Sequence, residues 1–226
     1  MGDKYTNADW QNSALITIDT QNDFTVPNSP FKITGTLEIV PKMRQVLDTF
    51  RSMRMPIIHV IRLYNPDGSN VDLCRRRAVA ELGKKLVIAG TKGAELVEEL
   101  KPFSSPSSSS SSLPSTRPSL DTELLLQGQP QQVSTNEWIM YKPRWGAFYA
   151  TPLENHLHKL NVNTVVICGC NFPNCPRTTV YEASERDFRV VLIKDATSKV
   201  YEQGLQELEN IGVELMTSDD CVNALK

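Results

Sequence analysis

The sequence predicts an α/β fold: a Rossmann-like three-layer αβα sandwich built on a mostly parallel sheet of about six strands. Two observations support this prediction. Short apolar runs rich in β-branched residues, typical of strands buried on both faces, recur along the 226-residue chain. Stretches with helical apolar spacing lie between them, and strand–helix–strand repetition favours a parallel sheet with helices on both faces.

Six apolar runs account for the strands. The predicted strands are 14–19, 56–62, 137–142, 164–170, 189–196 and 213–217. Four helices connect them. The first, over 40–55, carries apolar residues at helical spacing from Val40 to Phe50 and has Pro41 in its first turn, where proline is tolerated. The others are a stripe of Leu153, Leu157 and Leu160, and the runs 178–187 and 202–211.

One segment interrupts this pattern. Residues 104–112 are eight serines around a single proline, and such a composition cannot bury a core. We therefore predict a single domain over 1–226 with a flexible, Ser/Pro-rich surface insertion at about 102–119. The insertion is either a plain mobile loop or a lid over the active site. The tail after Met216 is either a terminal helix or a frayed end.

Composition excludes several classes of partner. The formal net charge is −2 and the longest basic run is 75–77, so we expect no nucleic-acid partner. No stretch approaches 18 apolar residues, so we expect no membrane span. Five cysteines, an odd number in a chain without an export signal, favour free thiols and a cytoplasmic location.

Motifs for common cofactors are also missing. The chain has no G-x-G-x-x-G, no P-loop and no G-x-S-x-G, which argues against a dinucleotide site, a nucleotide site and a serine hydrolase. Cys168, Cys170 and Cys175 lie within eight residues, but their spacing is not that of a zinc site and no histidine pair accompanies them. We expect neither a metal nor another cofactor.

Three chemically active residues follow three predicted strands. Asp19 and Lys142 each close a strand, and Cys175 comes five residues after another. Taken singly, each has a plain structural explanation as a turn residue, a solvated cation or a small buried hydrophobe. The carboxyl ends of parallel strands meet at one edge of the sheet, however, so we expect the three side chains to converge there.

Cys175 has the strongest local signal. Pro176 and the helical run after it predict that Cys175 is the N-cap of a helix. The free amides and the dipole of a helix N-terminus, together with the charge of Arg177, should lower the pKa of the thiol. Lys142 would then stabilise a thiolate and Asp19 would accept the thiol proton, as nucleophilic catalysis requires.

Three segments of the sequence carry a family resemblance. ALITIDTQNDF, YKPRWGAF and VVICGCNFPNCPRTTVYEASERDFRV resemble, in order, the signature segments of the isochorismatase-like cysteine hydrolases. This superfamily includes nicotinamidase, N-carbamoylsarcosine amidohydrolase, and ureidoacrylate and biuret hydrolases. The resemblance runs from about residue 14 to the end of the chain and is interrupted by the serine-rich insertion.

The resemblance assigns roles to individual residues. Asp19 matches the general base, Lys142 the triad lysine, and Cys175, six residues after Gly169, the nucleophile. It implies a cis peptide bond between Cys170 and Asn171 and an oxyanion hole formed by the backbone N–H groups of Asn171 and Cys175. It also places Asp23, Phe24 and Phe148 near the pocket.

The sequence departs from the family pattern in two places. The family usually has valine after the cysteine and alanine or threonine in the preceding turn, whereas this chain has Pro176 and the turn 171–174 (NFPN). Nicotinamidases carry a D-x-H metal site after their second strand, and this stretch reads HVIRLYNPDGSN. We therefore expect no nicotinamidase metal site, and we expect His59 to be a packed core residue.

Together these features predict a cysteine hydrolase that cleaves a C–N bond of a small amide, ureide or imide through a thioester. The alternatives are a catalytically inactive binding or scaffold member of the same fold and a redox protein that uses its clustered thiols. The partner would be a small-molecule substrate. Members of the family it resembles commonly form dimers or tetramers, so the resemblance also implies a homodimer or homotetramer. The candidate pocket residues are Asp23, Phe24, Arg62, Tyr64, Arg144, Trp145, Phe148, Phe172 and Arg177. The arginines are either carboxylate ligands or solvated and salt-bridged.

Overall fold

The structure is a computed structural model that describes residues 3–29, 31–102 and 119–226. The predicted insertion at about 102–119 lies almost entirely outside the described residues. The strands are β1 (Ser13–Ile18), β2 (Ile57–Ile61), β3 (Gln131–Ser134), β4 (Glu137–Tyr141), β5 (Thr164–Gly169), β6 (Arg189–Thr197) and β7 (Glu214–Met216). The α-helices are α1 (Asn22–Thr25), α2 (Thr36–Ser52), α3 (Leu73–Arg76), α4 (Thr122–Leu126), α5 (Leu153–Lys159), α6 (Cys175–Ser184), α7 (Glu202–Glu209) and α8 (Ser218–Leu225).

The strands form one sheet in the order β3-β4-β2-β1-β5-β6-β7. Every pair is parallel except β3 with β4. The predicted mostly parallel α/β fold is confirmed, with seven strands in the described chain instead of about six. The additional strand is β3, an edge strand whose sequence QQVS has one apolar residue and therefore no strand signal.

Helices cover both faces of the sheet and explain why β1 is buried along its whole length. Leu15 belongs to a core cluster with residues of α2 and α8, whereas its neighbour Ile16 belongs to a cluster with residues of α5, α6 and α7. Successive strand residues point to opposite faces, so a strand between two helical layers must be apolar at every position. The three layers expected from the sequence are therefore present.

The start of α2 differs from the prediction. The helix begins at Thr36, one turn before Val40, so Pro41 lies inside it and not in its first turn. The apolar stripe that predicted the helix begins only at Val40, and it carries no information on the more polar turn before it. Gly35, in the left-handed region at φ 88°, leads the chain into the helix.

The tail after Met216 forms a packed helix. Thr217 and Asp220 make a capping box at the start of α8, each side chain bonding the backbone N–H of the other. Cys221, Val222 and Leu225 are buried on its inner face. The terminal helix, and not the frayed end, is therefore the correct alternative.

A buried polar chain crosses the sheet on one side. Thr17 Oγ1 lies 2.7 Å from His59 Nδ1, and His59 Nε2 lies 2.8 Å from Glu137 Oε1. Arg51 at the end of α2 binds the same carboxylate with both Nη2, at 2.7 Å, and Nε, at 3.1 Å. His59 is a fully buried core residue, as expected. Burial alone would raise the pKa of Glu137, but the His59 and Arg51 hydrogen bonds outweigh it and hold the pKa at about 2.

This carboxylate should govern acid stability. A carboxyl group whose pKa is lowered by folding stabilises the fold above its unfolded value of 4.5, and this contribution is lost as the pH falls towards about 2. We expect Glu137→Gln to lower the free energy of unfolding by about 3 kcal/mol at pH 7, because it removes the buried negative charge that accepts hydrogen bonds from His59 and the half-buried Arg51. Urea unfolding monitored by circular dichroism between pH 7 and pH 3 measures both effects.

The exposed Glu209 supplies the control for this measurement. Glu209→Gln should change the free energy of unfolding by about 0.5 kcal/mol or less at every pH. A Glu137→Gln protein as stable as the wild type at pH 7, with the same loss of stability in acid, would contradict the assigned role.

Candidate active site

The carboxyl edge of the sheet holds Asp19 and Lys142 through the strand between them. Asp19 follows β1 and its amide donates to Val60 O of β2 at 2.9 Å; Lys142 follows β4 and its amide donates to Ile61 O of β2 at 2.9 Å. Asp19 has a left-handed backbone, with φ of 47°. The backbones of both residues are therefore bonded to the end of β2, and Arg62 is the residue directly after that strand.

The side chains of Asp19 and Lys142 form a buried ion pair. Lys142 Nζ lies 2.8 Å from Asp19 Oδ2 and also donates to the carbonyl of Arg144 at 3.2 Å. The Lys142 side chain is fully buried. Asp19 Oδ1 is buried as well and has no hydrogen-bond partner within the described chain. One carboxylate oxygen is therefore held by the lysine, and the same carboxylate also acts on the Cys175 thiol.

Cys175 completes this group of three. Its side chain is 3% exposed, and burial together with the negative charge of Asp19 raises the pKa of the thiol to about 11. The positive charges of Lys142 and Arg62 oppose the rise without cancelling it. The predicted lowering of the pKa is therefore wrong for the substrate-free protein, because the helix-terminus argument omits desolvation and the neighbouring carboxylate.

The helix that carries the thiol also begins earlier than predicted. Cys175 is the first residue of α6 and Asn174 is its N-cap, so Pro176 occupies the second helical position. The thiol still lies at the helix N-terminus, where backbone amides have no intrahelical acceptor.

The turn before α6 leaves two amides free. The Cys170–Asn171 peptide bond is cis, as the resemblance implied. Phe172 N donates to Ser198 O at 2.8 Å and Asn174 N to Asn171 O at 3.0 Å. Within the described residues, no acceptor is found for the amides of Asn171 and Cys175. These are the two N–H groups assigned to an oxyanion hole on the basis of the resemblance.

Helix α6 also fixes the loop that follows Lys142. Ala147 N donates to Thr179 Oγ1 at 3.1 Å, and Phe148 N donates to Glu182 Oε2 at 2.8 Å. A Cβ at Gly146 would collide with the Glu182 carboxylate, so this close approach requires glycine. Sequence reasoning missed Glu182, because its partners are backbone amides about 34 residues away in the chain.

Arg62 is held at the centre of the site. Its backbone N–H donates to Gln21 Oε1 at 2.9 Å, and its carbonyl accepts from Gln21 Nε2 at 2.7 Å. The fully buried guanidinium donates through Nη1 to Pro143 O at 2.8 Å and lies 3.6 Å from Asp72. Its Nε and Nη2 groups are buried without a partner in the described structure. The Gln21 side chain thus satisfies both backbone hydrogen-bonding groups of Arg62, as a neighbouring strand would within the sheet.

A second polar group surrounds this arginine. The Tyr64 hydroxyl donates to Asp72, and Arg75 Nη1 donates to the Tyr64 oxygen at 3.1 Å. The Trp145 ring lies 4.7 Å from the Arg75 guanidinium and 5.8 Å from that of Arg62, measured to its centroid. Arg62, Tyr64 and Trp145 were predicted near the pocket, whereas Asp72 and Arg75 were not, because the short helix α3 and its N-cap carry no sequence motif.

Comparison with known proteins identifies the family. The chain matches the family model "Isochorismatase domain" over residues 13–108 and 115–220. The chain belongs to the isochorismatase family. It is 30% identical to a protein of Arabidopsis thaliana named "Probable inactive nicotinamidase", over 92% of this chain and 93% of that protein. It is 22% identical to the maleamate amidohydrolase of Pseudomonas putida, over 94% of this chain and 86% of that protein.

Solved structures of the family agree with this fold. An isochorismatase family protein of Desulfovibrio vulgaris superposes with a TM-score of 0.76 and 27% identity, covering 95% of this chain and 98% of that chain. The resemblance seen in the sequence is therefore confirmed at the level of family and fold.

Two pocket candidates turn out to have other partners. Asp23 Oδ2 accepts from Val87 N at 2.6 Å and holds the loop beside Gly93. Arg177 is ion-paired with Glu207 and bonded to Tyr201, on the outer side of α6. We therefore leave Asp23 and Arg177 out of the proposed pocket.

Of the remaining pocket candidates, three are buried in the core and one lies on the surface. Phe24, Phe148 and Phe172 are buried core residues, each at most 4% exposed. Arg144 is exposed and its guanidinium donates to Pro143 O at 2.8 Å. None of these four contacts the Asp19 carboxylate through a hydrogen bond that the structure records.

Three further findings concern alternative functions. All five cysteines are free thiols. Among residues 3–29, 31–102 and 119–226, no group of three or more His, Cys, Asp or Glu is placed to hold a metal ion. In the same residues no helix has both the length and the apolar character needed to cross a bilayer.

The thiol of Cys175 should have a raised pKa, and Asp19 and Lys142 should shift that pKa in opposite directions. We expect iodoacetamide to alkylate wild-type Cys175 with an apparent pKa near 11. Asp19→Asn removes the negative charge and should lower that pKa by about one unit, which gives about tenfold faster alkylation at pH 8. Lys142→Met removes a positive charge and should raise it.

Peptide mass spectrometry separates Cys175 from the exposed Cys74, which serves as the reference thiol in the same sample. The alkylation of Cys74 should not respond to either substitution. An Asp19→Asn protein whose Cys175 titrates as in the wild type would mean that the carboxylate does not act on the thiol.

Proposed function

We propose that this protein is a cysteine hydrolase that cleaves the C–N bond of a small amide or ureide through a thioester intermediate, with Asp19, Lys142 and Cys175 as its catalytic triad. The observation that carries the proposal is that the Asp19 carboxylate interacts with both Lys142 and Cys175. One oxygen is held by Lys142, and the carboxylate is close enough to Cys175 to raise the pKa of its thiol. A base in this position is suited to accept the thiol proton.

The first half of the reaction forms the thioester. Cys175 Sγ attacks the carbonyl carbon while its proton passes to Asp19, and the carbonyl π electrons move to the oxygen. The free amides of Asn171 and Cys175 stabilise that oxyanion, and one such donor is typically worth about 3 kcal/mol. The C–N bond then breaks, and the leaving nitrogen takes the proton from Asp19 and departs as ammonia or an amine.

The second half regenerates the thiol. Water enters in place of the amine and loses a proton to Asp19 as it attacks the thioester carbon. The C–S bond breaks, the acid is released and the proton returns to Cys175. Lys142 stays bound to Asp19 Oδ2 throughout, so it keeps the carboxylate oriented and favours its charged form between the two steps.

The high pKa of the resting thiol is compatible with this sequence of events. A thiol that is neutral before substrate binds is protected from oxidants and alkylating agents, because the thiolate is the reactive form. Transfer to Asp19 becomes favourable when the amides and the bound carbonyl share the developing charge. We therefore place activation in the substrate complex.

A catalytically inactive binding member of the same fold is the second candidate. It is favoured by the name of the 30% identical plant relative, which describes that protein as probably inactive. The complete triad geometry and the two free amides of this chain favour catalysis instead. The redox alternative has no support in the geometry, because Cys168, Cys170 and Cys175 are buried in three different core clusters.

The cellular setting follows from chemistry as well. Five free thiols suit a reducing compartment, so we propose a cytoplasmic protein. We propose in addition a homodimer or homotetramer that acts on a small molecule and needs no metal or organic cofactor. Light scattering after size-exclusion chromatography determines the mass of the assembly.

Loss of the nucleophile should abolish hydrolysis. Ammonia release is measured over a panel of small amides and ureides that includes maleamate and N-carbamoyl amino acids. We expect Cys175→Ala to lower kcat at least about a thousandfold for any substrate found, because it removes the sulfur atom that forms the proposed thioester. The variant should keep the wild-type circular dichroism spectrum, because the substitution removes one sulfur atom.

The catalytic proposal fails if Cys175→Ala retains turnover within tenfold of the wild type. An acyl-enzyme trapped on Cys175 by rapid acid quench, and identified by mass, provides positive evidence. Wild-type protein that releases no ammonia from the panel, and binds members of it unchanged, would favour the inactive binding member.

A further inference from the structure

Arg62 is the buried group that the proposed mechanism leaves unexplained. Its side chain is fully buried, yet Nε and Nη2 have no hydrogen-bond partner in the described chain. A buried donor without an acceptor destabilises a protein, and the effect is larger for a charged group. Such a group is retained at a functional site when a ligand supplies the acceptor.

The position of Arg62 ties it to the reacting atoms. It follows Ile61 on β2, the strand that lies between β1 and β4 and bonds the amides of both Asp19 and Lys142. Its charge acts on the Cys175 thiol together with that of Lys142. The Arg62 charge therefore lies near the Cys175 thiol, at the same edge of the sheet as Asp19 and Lys142.

Arg75 of α3 adds a second cation. Its guanidinium donates to Tyr64, lies 3.5 Å from Asp72 and interacts electrostatically with Cys175. The Trp145 ring stacks against Arg75 and also contacts Arg62, so it screens both from water. The tryptophan forms an apolar wall next to the two charges.

Charge counting leaves the site positive. Three cations (Lys142, Arg62, Arg75) face two carboxylates, Asp19 and Asp72. Asp19 is occupied by Lys142, and Asp72 accepts from Tyr64 and Arg75 and reaches Arg62 only at 3.6 Å. Asp72 therefore orients the arginines but leaves one edge of Arg62 unused.

We propose that Arg62, supported by Arg75, binds a carboxylate of the substrate next to the scissile C–N bond. The fork of Nε and Nη2 matches the two oxygens of a carboxylate. Resting on the proposed function, this inference narrows the substrate class to small acids that carry the amide or ureide a short distance from the carboxylate. Neutral amides would leave the Arg62 donors unsatisfied and would bind poorly.

A pair of alkylating agents tests this without any turnover. Iodoacetate and iodoacetamide react with Cys175 in the same way: the S–C bond forms, the C–I bond breaks, iodide leaves and the thiol proton is lost to a base. They differ in one group, a carboxylate against a neutral amide, next to the reacting carbon. The ratio of their two rates at Cys175 therefore reports anion binding and cancels any change in thiolate fraction.

We expect the iodoacetate-to-iodoacetamide rate ratio of Cys175 to exceed that of N-acetylcysteine, a free thiol measured in the same buffer. Arg62→Met should lower the Cys175 ratio by about fivefold or more, because it removes the charge-assisted hydrogen bonds to the carboxylate. Arg62→Lys keeps a charge without the fork and should give an intermediate ratio. Arg77→Met is the matched control: it removes one positive charge directly after α3, at a side chain that is 82% exposed, and should leave the ratio unchanged.

A second measurement uses wild-type protein alone and so does not depend on the folding of a variant. Succinate, a dicarboxylate, should protect Cys175 from iodoacetamide, whereas succinamide, its neutral diamide, should not. Equal protection by the two compounds would overturn the proposal. So would an Arg62→Met protein that is folded by circular dichroism and keeps the wild-type rate ratio.

These results separate this inference from the proposed function. If the rate ratio does not depend on Arg62 while Cys175-dependent ammonia release is found, the carboxylate site is wrong and the hydrolase stands. If the ratio falls in Arg62→Met and no substrate is cleaved, the anion site stands and catalysis is wrong.

Discussion

The buried ion pair of Asp19 and Lys142 is the constraint on which the site depends. Each buried charge loses several kcal/mol of hydration, and their attraction offsets this only in good geometry. The two residues come from β1 and β4, which are not neighbours, so the 2.8 Å contact must span the end of β2. Any slip of β4 or β1 on β2 by one residue would turn one of these side chains to the opposite face and break the pair.

Helix α6 then couples Cys175 to the pair of Asp19 and Lys142. Its first residue is Cys175, and its Thr179 and Glu182 bind amides of the loop that follows Lys142. The loop in turn supplies the Arg144 carbonyl to Lys142 Nζ. A displacement of α6 would therefore move the thiol and the lysine together, which keeps their relation while the surroundings change.

The sequence was sufficient for the fold and for the convergence of Asp19, Lys142 and Cys175, because both rest on local patterns. Apolar runs identify strands that are covered on both faces, and a parallel sheet brings the residues after those strands to one edge. The sequence was insufficient where contacts with residues distant in the chain determine a pKa or the position of a side chain. The Cys175 pKa depends on Asp19, 156 positions away in sequence, and on burial that no motif reports. Arg177 follows Cys175 by two helical positions, about 200° around the axis, so it points away from the site towards α7.

The same limits apply to the arginines. Arg62, the last residue of a predicted strand, was predicted near the pocket, but Arg75 lay in a basic run that was considered only as evidence about a nucleic-acid partner. Only the fold shows that Tyr64 and Asp72 bring Arg75 towards the thiol while Arg77 stays exposed.

Positive charge beside a neutral thiol lowers the free energy of any anion that enters, and each charge-assisted hydrogen bond formed by Arg62 is stronger in a dry site than in water. An acid that satisfies Arg62 would in turn place negative charge near Cys175 and oppose thiolate formation. Proton transfer to Asp19 in step with attack avoids this conflict, because a free thiolate never accumulates, and a resting thiol with a raised pKa is what such a mechanism requires.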